Sequence, residues 1–168
     1  KAAVNIPFGS AAAMRVVGFY DELAGFIDAT QPNLSVRKNV DGGSKTGGRI
    51  ALTVQPNDAL SITPRLVYQK LDTDGLPRID FYNILGNPFT TTQPPVSLGD
   101  RGQFTQLTEG INDEFSLGDL KIEYSFGPVA LTAISSYTDR EVVVTRDATS
   151  LTGSVTFDIG GTADEVRI

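Results

Sequence analysis

The stretch Arg49-Ile-Ala-Leu-Thr-Val-Gln55, followed at once by Pro56-Asn-Asp58, decides the fold class. Ile50, Leu52 and Val54 occupy alternate positions, and the residues beside them are small, polar or charged. Successive side chains of a strand point to opposite faces, so this two-residue period predicts a β-strand with one apolar and one polar face. The Pro-Asn-Asp sequence predicts a tight turn at the end of that strand.

Several other stretches show the same alternation, and the breaks between them alternate in length. We predict strands at 12–23, 60–71, 115–126 and 129–144, a strand end at 4–6 and a further alternating segment at 154–159. Tight turns join some neighbours, while polar loops at 24–46 and 72–113 join others. Pro64 lacks an N–H and is the weakest point of the strand at 60–71.

Composition narrows the possible functions. The 168 residues carry a net charge of -6 and contain no Cys, His or Trp. Without His or Cys there is no Ser/His/Asp triad, thiolate nucleophile or ordinary zinc or haem site, so we expect no catalytic residues, no metal and no cofactor. The 14 Lys and Arg residues are scattered, which argues against nucleic acid as a partner.

Strand length points to a membrane. The predicted strands have about ten or more residues, against roughly five or six in soluble sheets, and a tilted strand needs ~9–11 residues to cross the hydrocarbon layer. The longest apolar runs fall far short of the ~20 residues that a membrane-spanning helix needs. Strands can cross lipid only in a closed ring, with apolar side chains outward. The sequence therefore predicts an all-β, antiparallel up-and-down meander that forms part of a membrane β-barrel.

The order of several short motifs resembles the early barrel region of TonB-dependent outer-membrane receptors. The N-terminal part of the resemblance lies in Arg15-Val-Val-Gly-Phe-Tyr-Asp-Glu, Gly47-Gly-Arg-Ile-Ala-Leu, Gln55-Pro-Asn-Asp-Ala-Leu-Ser-Ile-Thr-Pro, Val67-Tyr-Gln and Thr73-Asp-Gly-Leu-Pro. The segment 120–140, with its Tyr-Ser-Phe-Gly corner and Ser135-Ser-Tyr-Thr-Asp-Arg, is similar to the next hairpin of that family.

The resemblance implies a 22-stranded transmembrane barrel with short periplasmic turns, long extracellular loops and an N-terminal plug. It also implies import of a scarce nutrient, such as a ferric siderophore, with energy from the TonB complex, in the bacterial outer membrane. On this interpretation residues 1–168 are a partial barrel domain, since the plug domain, the TonB box and the C-terminal barrel strands are absent. The implied partners are outer-membrane lipid, the TonB complex through the plug, and the small-molecule ligand.

The long loop at 72–113 carries the residues that we expect to bind ligand. Arginine suits carboxylate or catecholate anions, and aromatic rings add contact area at low entropic cost. The candidates combine charge, hydrogen-bonding groups and ring faces: Arg78, Asp80, Phe81, Tyr82, Arg101 and Gln103. The alternative to ligand binding is that these residues order the loop or contact lipopolysaccharide.

A second hypothesis for the whole chain is a soluble all-β ligand-binding module of a secreted or periplasmic protein. Such a sandwich needs a second sheet to cover its apolar faces. In that case Ile50, Leu52, Ile62 and Leu66 would be protected from water by the chain's own residues. No set of residues in the sequence supports a third hypothesis, an enzyme on a β scaffold.

Overall fold

The fold is described from a computed structural model, which covers residues 1–31, 33–80 and 98–147 in full and the backbone of 163–167. Every regular element in these ranges is a strand. The strands are β1 Ala2–Phe8, β2 Ala12–Leu23, β3 Asp28–Thr30, β4 Val36–Arg37, β5 Gly43–Asn57, β6 Leu60–Thr73, β7 Gly102–Phe104, β8 Gly110–Phe126, β9 Val129–Asp147 and β10 Ala163–Arg167. Within these ranges, no helix has the length and apolar character needed to cross a membrane.

Seven strands form one sheet in the order β1-β2-β5-β6-β8-β9-β10. The strand pairs at its two ends are antiparallel, with Val4 opposite Val16 and Val166 opposite Val144. The all-β prediction and the antiparallel meander are therefore confirmed. A second sheet has the order β4-β3-β7, and its β3–β7 pair is parallel, which the predicted meander did not include.

Most strands of the large sheet are longer than predicted at one or both ends. Strand β2 has the predicted bounds, whereas β5 begins at Gly43, inside the segment that we predicted to be irregular. A Cβ added to Gly43 would lie only 2.2 Å from the Asp72 carbonyl oxygen. Glycine there permits close approach of two paired backbones, so the prediction that the polar loop extends to residue 46 was wrong.

The long loop is shorter than predicted, and its described part contains a strand. Strand β6 continues to Thr73, β8 begins at Gly110, and β7 lies between them. Pro64 is inside β6, between two neighbouring strands, with its ring exposed. The alternating segment at 154–159 lies outside the described residues.

Tight turns join the hairpins of the large sheet. Gly9 and Gly127 adopt φ values of 68° and 60°, the left-handed region in which glycine carries no Cβ penalty. In the turn between β5 and β6, the Asn57 side-chain oxygen accepts a hydrogen bond of 2.9 Å from the Ala59 N–H. The Gly and Asn residues of these turns therefore determine where the hairpins reverse direction.

The described chain forms two compact units. Unit 1 comprises Lys1–Asp21, Lys45–Lys70 and Asp113–Glu141; unit 2 comprises Glu22–Ser44, Leu71–Asn112 and Val142–Ile168. Unit 2 contains a small apolar core of Ile27, Ala29 and Val40, with Ile79 packed against it. In unit 1, Val17 is the only described hydrophobic residue that is buried, at 9% exposure.

Contacts within unit 1 fix which side chains share a face of the sheet. A Cβ placed on Gly118 would lie 3.5 Å from Leu66, so even-numbered residues of β6 and β8 share one face. A Cβ on Gly47 would contact the Phe19 ring, so odd-numbered residues of β2 and β5 share the other face. We name the face that carries the even-numbered residues of β6 and β8 the apolar face. Its large side chains are Val4, Ile6, Phe8, Met14, Val16, Tyr20, Ile50, Leu52, Val54, Leu60, Ile62, Leu66, Tyr68, Leu120, Ile122, Tyr124, Phe126, Val129, Leu131 and Tyr137.

The opposite side, which we name the polar face, carries hydrogen bonds and ion pairs. Thr53 and Thr63 hydroxyls lie 3.2 Å apart, across β5 and β6. Arg65 Nε lies 2.6 Å from Asp119 Oδ2. Arg140 donates from Nε and Nη2 to the two carboxylate oxygens of Asp113, at 2.8 and 2.6 Å.

Candidate functional site

The apolar face of unit 1 exposes large hydrophobic side chains over its whole width. Leu66 is 64% exposed, Leu131 59%, Tyr20 66% and Tyr137 75%. A soluble sheet normally covers such a face with a second layer, because apolar area left in water costs roughly 25 cal/mol per Å². The exposed fractions show that described residues do not cover these side chains.

Aromatic residues mark both ends of this apolar face. Tyr20, Tyr68 and Tyr137 are each the ninth residue of their strands, and Phe8 and Phe126 lie beside the tight turns at the other end of the face. Eight residues separate Tyr137 from the first residue of β9, which is roughly 26 Å along a strand at about 3.3 Å per residue. A strand tilted by ~40° would then span roughly 20 Å, close to the ~25 Å apolar band of outer-membrane barrels.

In unit 2, the predicted ligand residues on the long loop form an internal network. Arg78 Nη1 donates to Glu109 Oε1 at 3.1 Å, and Nη2 donates to the Phe104 carbonyl at 3.4 Å. The Arg78 Nε also lies 3.3 Å from Asp80 Oδ1. Asp80 Oδ2 in turn accepts a hydrogen bond of 2.8 Å from the Phe104 N–H. These contacts join strand β7 to residues 78–80.

Buried polar groups continue the network. Gln103 is 1% exposed, and its Oε1 has no hydrogen-bond partner among the described residues. Glu109 is 3% exposed and its Oε1 accepts the Asp147 N–H at 2.9 Å. Asp147, also buried, accepts a hydrogen bond from the Gln106 N–H. Buried charges persist in proteins when they are paired in this way.

Burial controls the ionisation of Glu109. Desolvation raises the pKa of its carboxyl above the ordinary value of 4.5, against the lowering effects of the Asp147 N–H and the Arg78 charge. The neighbouring Asp147 carboxylate adds to the rise, and Glu109 Oε2 has no partner among the described residues. A polar pocket of about 260 Å³ adjoins this carboxyl and is also lined by Asp72, Thr73, Thr108 and Asn112.

One exposed pair on unit 2 has the character expected of a ligand contact. The Arg101 guanidinium lies 5.7 Å from the centroid of the Phe26 ring, and Phe26 is 54% exposed. Asp41 Oδ1 accepts hydrogen bonds from the N–H groups of Phe26 and Ile27, at 2.7 and 2.6 Å, which fixes the backbone beneath the ring.

The six predicted ligand residues therefore occupy different environments. Arg78 and Asp80 belong to this network, Gln103 is buried in β7, and Arg101 is exposed over Phe26. Phe81 and Tyr82 lie outside the described residues.

Sequence reasoning missed the buried contact of Glu109 with Asp147, and it missed Phe26 beneath Arg101. For Phe26, a lone aromatic after Gly25 in a polar loop was an available signal. No pattern in the sequence pairs Glu109 with Asp147, because they are 38 residues apart.

Comparisons with models of protein families, with curated proteins and with solved structures find no match to this chain.

We expect Arg78→Ala to destabilise unit 2 far more than Arg101→Ala. Removal of Arg78 leaves the Glu109 carboxylate buried without its ion pair, which costs about 2 to 3 kcal/mol for a pair that is mostly buried. Arg101 is exposed, and its contact with Phe26 contributes about 0.5 to 1 kcal/mol. Hydrogen exchange of the amides in β7 measures the difference. Equal protection in the two variants would contradict the structural role of Arg78.

The free energy of unfolding should fall as the pH rises through the raised folded-state pKa of Glu109. The folded chain keeps this proton to a higher pH than the unfolded chain does. The stabilisation is therefore complete below the ordinary pKa of 4.5 and is lost above the folded value. We expect Glu109→Gln to remove this part of the pH dependence in urea titrations, whereas Asp58→Asn, in an exposed turn, should leave it intact.

Proposed function

We propose that unit 1 is a section of the wall of an outer-membrane β-barrel, with its apolar face toward lipid and its polar face toward the lumen. The observation that carries the proposal is the exposed apolar face, bounded at both ends by aromatic side chains. Amphipathic rings are favoured at the two membrane interfaces, and aliphatic side chains are favoured between them. In this proposal the seven-stranded meander is part of a closed, 22-stranded ring in the bacterial outer membrane.

The polar face is consistent with a lumen. Two ion pairs join neighbouring strands on this face, Arg65 with Asp119 and Arg140 with Asp113. The strands are also long enough: β5, β6, β8 and β9 have 15, 14, 17 and 19 residues, against the ~9–11 needed to cross the hydrocarbon layer. In the alternative of a soluble all-β module, the apolar face would need a covering layer that the described residues do not supply.

We further propose that the protein containing this chain is a receptor of the TonB-dependent type that imports a small molecule such as a ferric siderophore. The support is the motif order of the sequence together with the exposed Arg101–Phe26 pair on unit 2. The guanidinium recognises oxyanions and the ring adds contact area. Outer-membrane lipid and the TonB complex are the other partners of this proposal.

Lipid exposure of the apolar face can be measured residue by residue, because the chain contains no native cysteine. We expect a fluorophore on Leu66→Cys or Leu131→Cys to be quenched by brominated lipid when the protein containing this chain is reconstituted in vesicles. The matched controls are Thr63→Cys and Thr132→Cys, from the polar face of the same strands. Equal protection of both faces from the lipid quencher would favour a soluble sandwich and contradict the barrel wall.

Transport has a separate test. We expect cells that produce the full-length protein to accumulate iron from at least one ferric hydroxamate or catecholate. This accumulation should cease when the TonB gene is deleted. Arg101→Ala combined with Phe26→Ala should lower ligand binding without a change in the circular dichroism spectrum. Uptake that is independent of TonB would contradict the receptor type while leaving the barrel wall intact.

A further inference from the structure

A groove of about 560 Å³ crosses the apolar face of unit 1, and its lining is almost wholly apolar. Its walls include large side chains on one side and small residues on the other. Among the residues that form them are Val16, Gly48, Ile50, Leu66, Tyr68 and Gly118. All of these have even numbers, which in β2, β5, β6 and β8 mark the apolar face.

The floor of the groove is one row of backbone that crosses four strands. The registers of β2, β5, β6 and β8 are set by the Gln55 N–H on the Ala11 carbonyl at 2.7 Å, the Thr53–Thr63 hydroxyl contact and the Ser125 N–H on the Ala59 carbonyl at 2.8 Å. In these registers the odd-numbered lining residues lie opposite one another: Val17, Arg49, Val67 and Leu117. Their side chains point to the polar face, so their backbones form the floor. With strands ~4.8 Å apart, the groove is about 14 Å long.

Glycines at the edges of this groove leave it open. Gly18 and Gly48 face each other across β2 and β5, since a Cβ on Gly48 would lie 4.0 Å from the Gly18 Cα. A Cβ on Gly48 would also lie 3.0 Å from the Val17 carbonyl oxygen, so backbone packing explains that glycine.

No contact among the described residues explains the other two glycines. A Cβ on Gly18 would meet nothing within 4 Å, and one on Gly118 would make an ordinary contact of 3.5 Å with Leu66. Glycine weakens the interior of a strand, because it loses more backbone freedom than other residues and has no side chain to pack. A glycine in a strand also marks places where a ligand approaches closely. The two positions therefore point to an occupant of the groove.

The width of the groove limits what this occupant can be. The walls are side-chain rows two residues apart along the strands, which is about 7 Å at ~3.4 Å per residue. An α-helix with its side chains is about 10–12 Å across and is too wide to enter. An extended polypeptide would bring N–H and C=O groups to a lining that offers them almost no hydrogen-bond partners. A linear hydrocarbon chain fits both the width and the apolar lining.

The rows on both sides of the groove belong to the face assigned above to lipid, so hydrocarbon chains would surround it. We propose that the groove is a binding site for one acyl chain of an outer-membrane lipid. Lipid tails are as apolar as the groove, so its preference for the chain comes from van der Waals packing against Ile50, Leu66 and the backbone floor. This inference rests on the proposed barrel wall and adds to it a defined place for a single chain.

A phospholipid with a diazirine on its acyl chain tests the inference, in vesicles that contain the protein to which this chain belongs. After irradiation, mass spectrometry counts the lipid adducts on each residue. We expect Val16, Ile50 and Leu66 to carry about fivefold more adducts than Leu120 and Leu131, because a packed chain stays longer than one that exchanges with bulk lipid. The last two residues lie on the same face outside the groove.

Filling the groove should remove this enrichment. Gly18→Val and Gly118→Val each add a side chain where a Cβ has room, and Val suits a strand. We expect either variant to lower the adducts in the groove to the level of Leu131. The matched control is Ala133→Val, on the same face outside the groove, which should leave the enrichment unchanged. The map of the unaltered protein tests the inference even where a variant does not fold.

The distribution of adducts separates failure of this inference from failure of the proposed function. Adducts spread evenly over the apolar face would overturn the acyl-chain site and leave the barrel wall intact. Adducts on Thr53 and Thr63, or none on the chain, would contradict the barrel wall as well. A disulfide between two copies of the Leu66→Cys variant would show a second copy at the groove, which would also overturn the inference.

Discussion

A single sheet with one apolar and one polar face is the constraint on which the other features of unit 1 depend. The two-residue period of strands β2, β5, β6, β8 and β9 sorts their side chains between two environments. A shift of one residue in any register would exchange the faces of a whole strand, so the register is strongly determined. Cross-strand contacts on the polar face, such as Thr53–Thr63 and Arg65–Asp119, stabilise this register.

This arrangement reverses the usual burial of hydrophobic side chains in a small soluble domain. Four of the five buried hydrophobic residues, Ile27, Ala29, Val40 and Phe104, belong to unit 2, although most large hydrophobic side chains of the described chain belong to unit 1. Unit 2 combines a small apolar core with buried polar groups that are held by Arg78 and by backbone N–H groups. The described loop segments of unit 2 are therefore held by specific hydrogen bonds, and several of these involve the charged side chains of Arg78, Asp80 and Glu109.

The sequence predicts local features of this fold well and long-range ones poorly. Alternation gave the bounds of β2 and the start of β6, because the period of a strand is a local property. The predicted loop at 24–46 included Gly43, which instead begins β5, because glycine can end a strand in one context and allow close backbone pairing in another. Arg78, Asp80 and Gln103 were chosen for their chemistry, but their burial depends on Glu109 and on strand β3, which are distant in sequence. Arg101 combines exposure with a ring contact, and Phe26, its partner, comes from another loop.

The parallel pairing of β3 with β7 has a kinetic consequence. Its partners, such as Ala29 and Gln103, are more than seventy residues apart in sequence, whereas the hairpins β1–β2, β5–β6 and β8–β9 close over tight turns. The entropy lost on closing a loop must be paid before contacts of such separation form, so pairings of high contact order form slowly. The small sheet should therefore assemble after the hairpins, and the exposed Arg101–Phe26 pair, whose residues flank β7 and β3, should be among the last contacts of the chain to form.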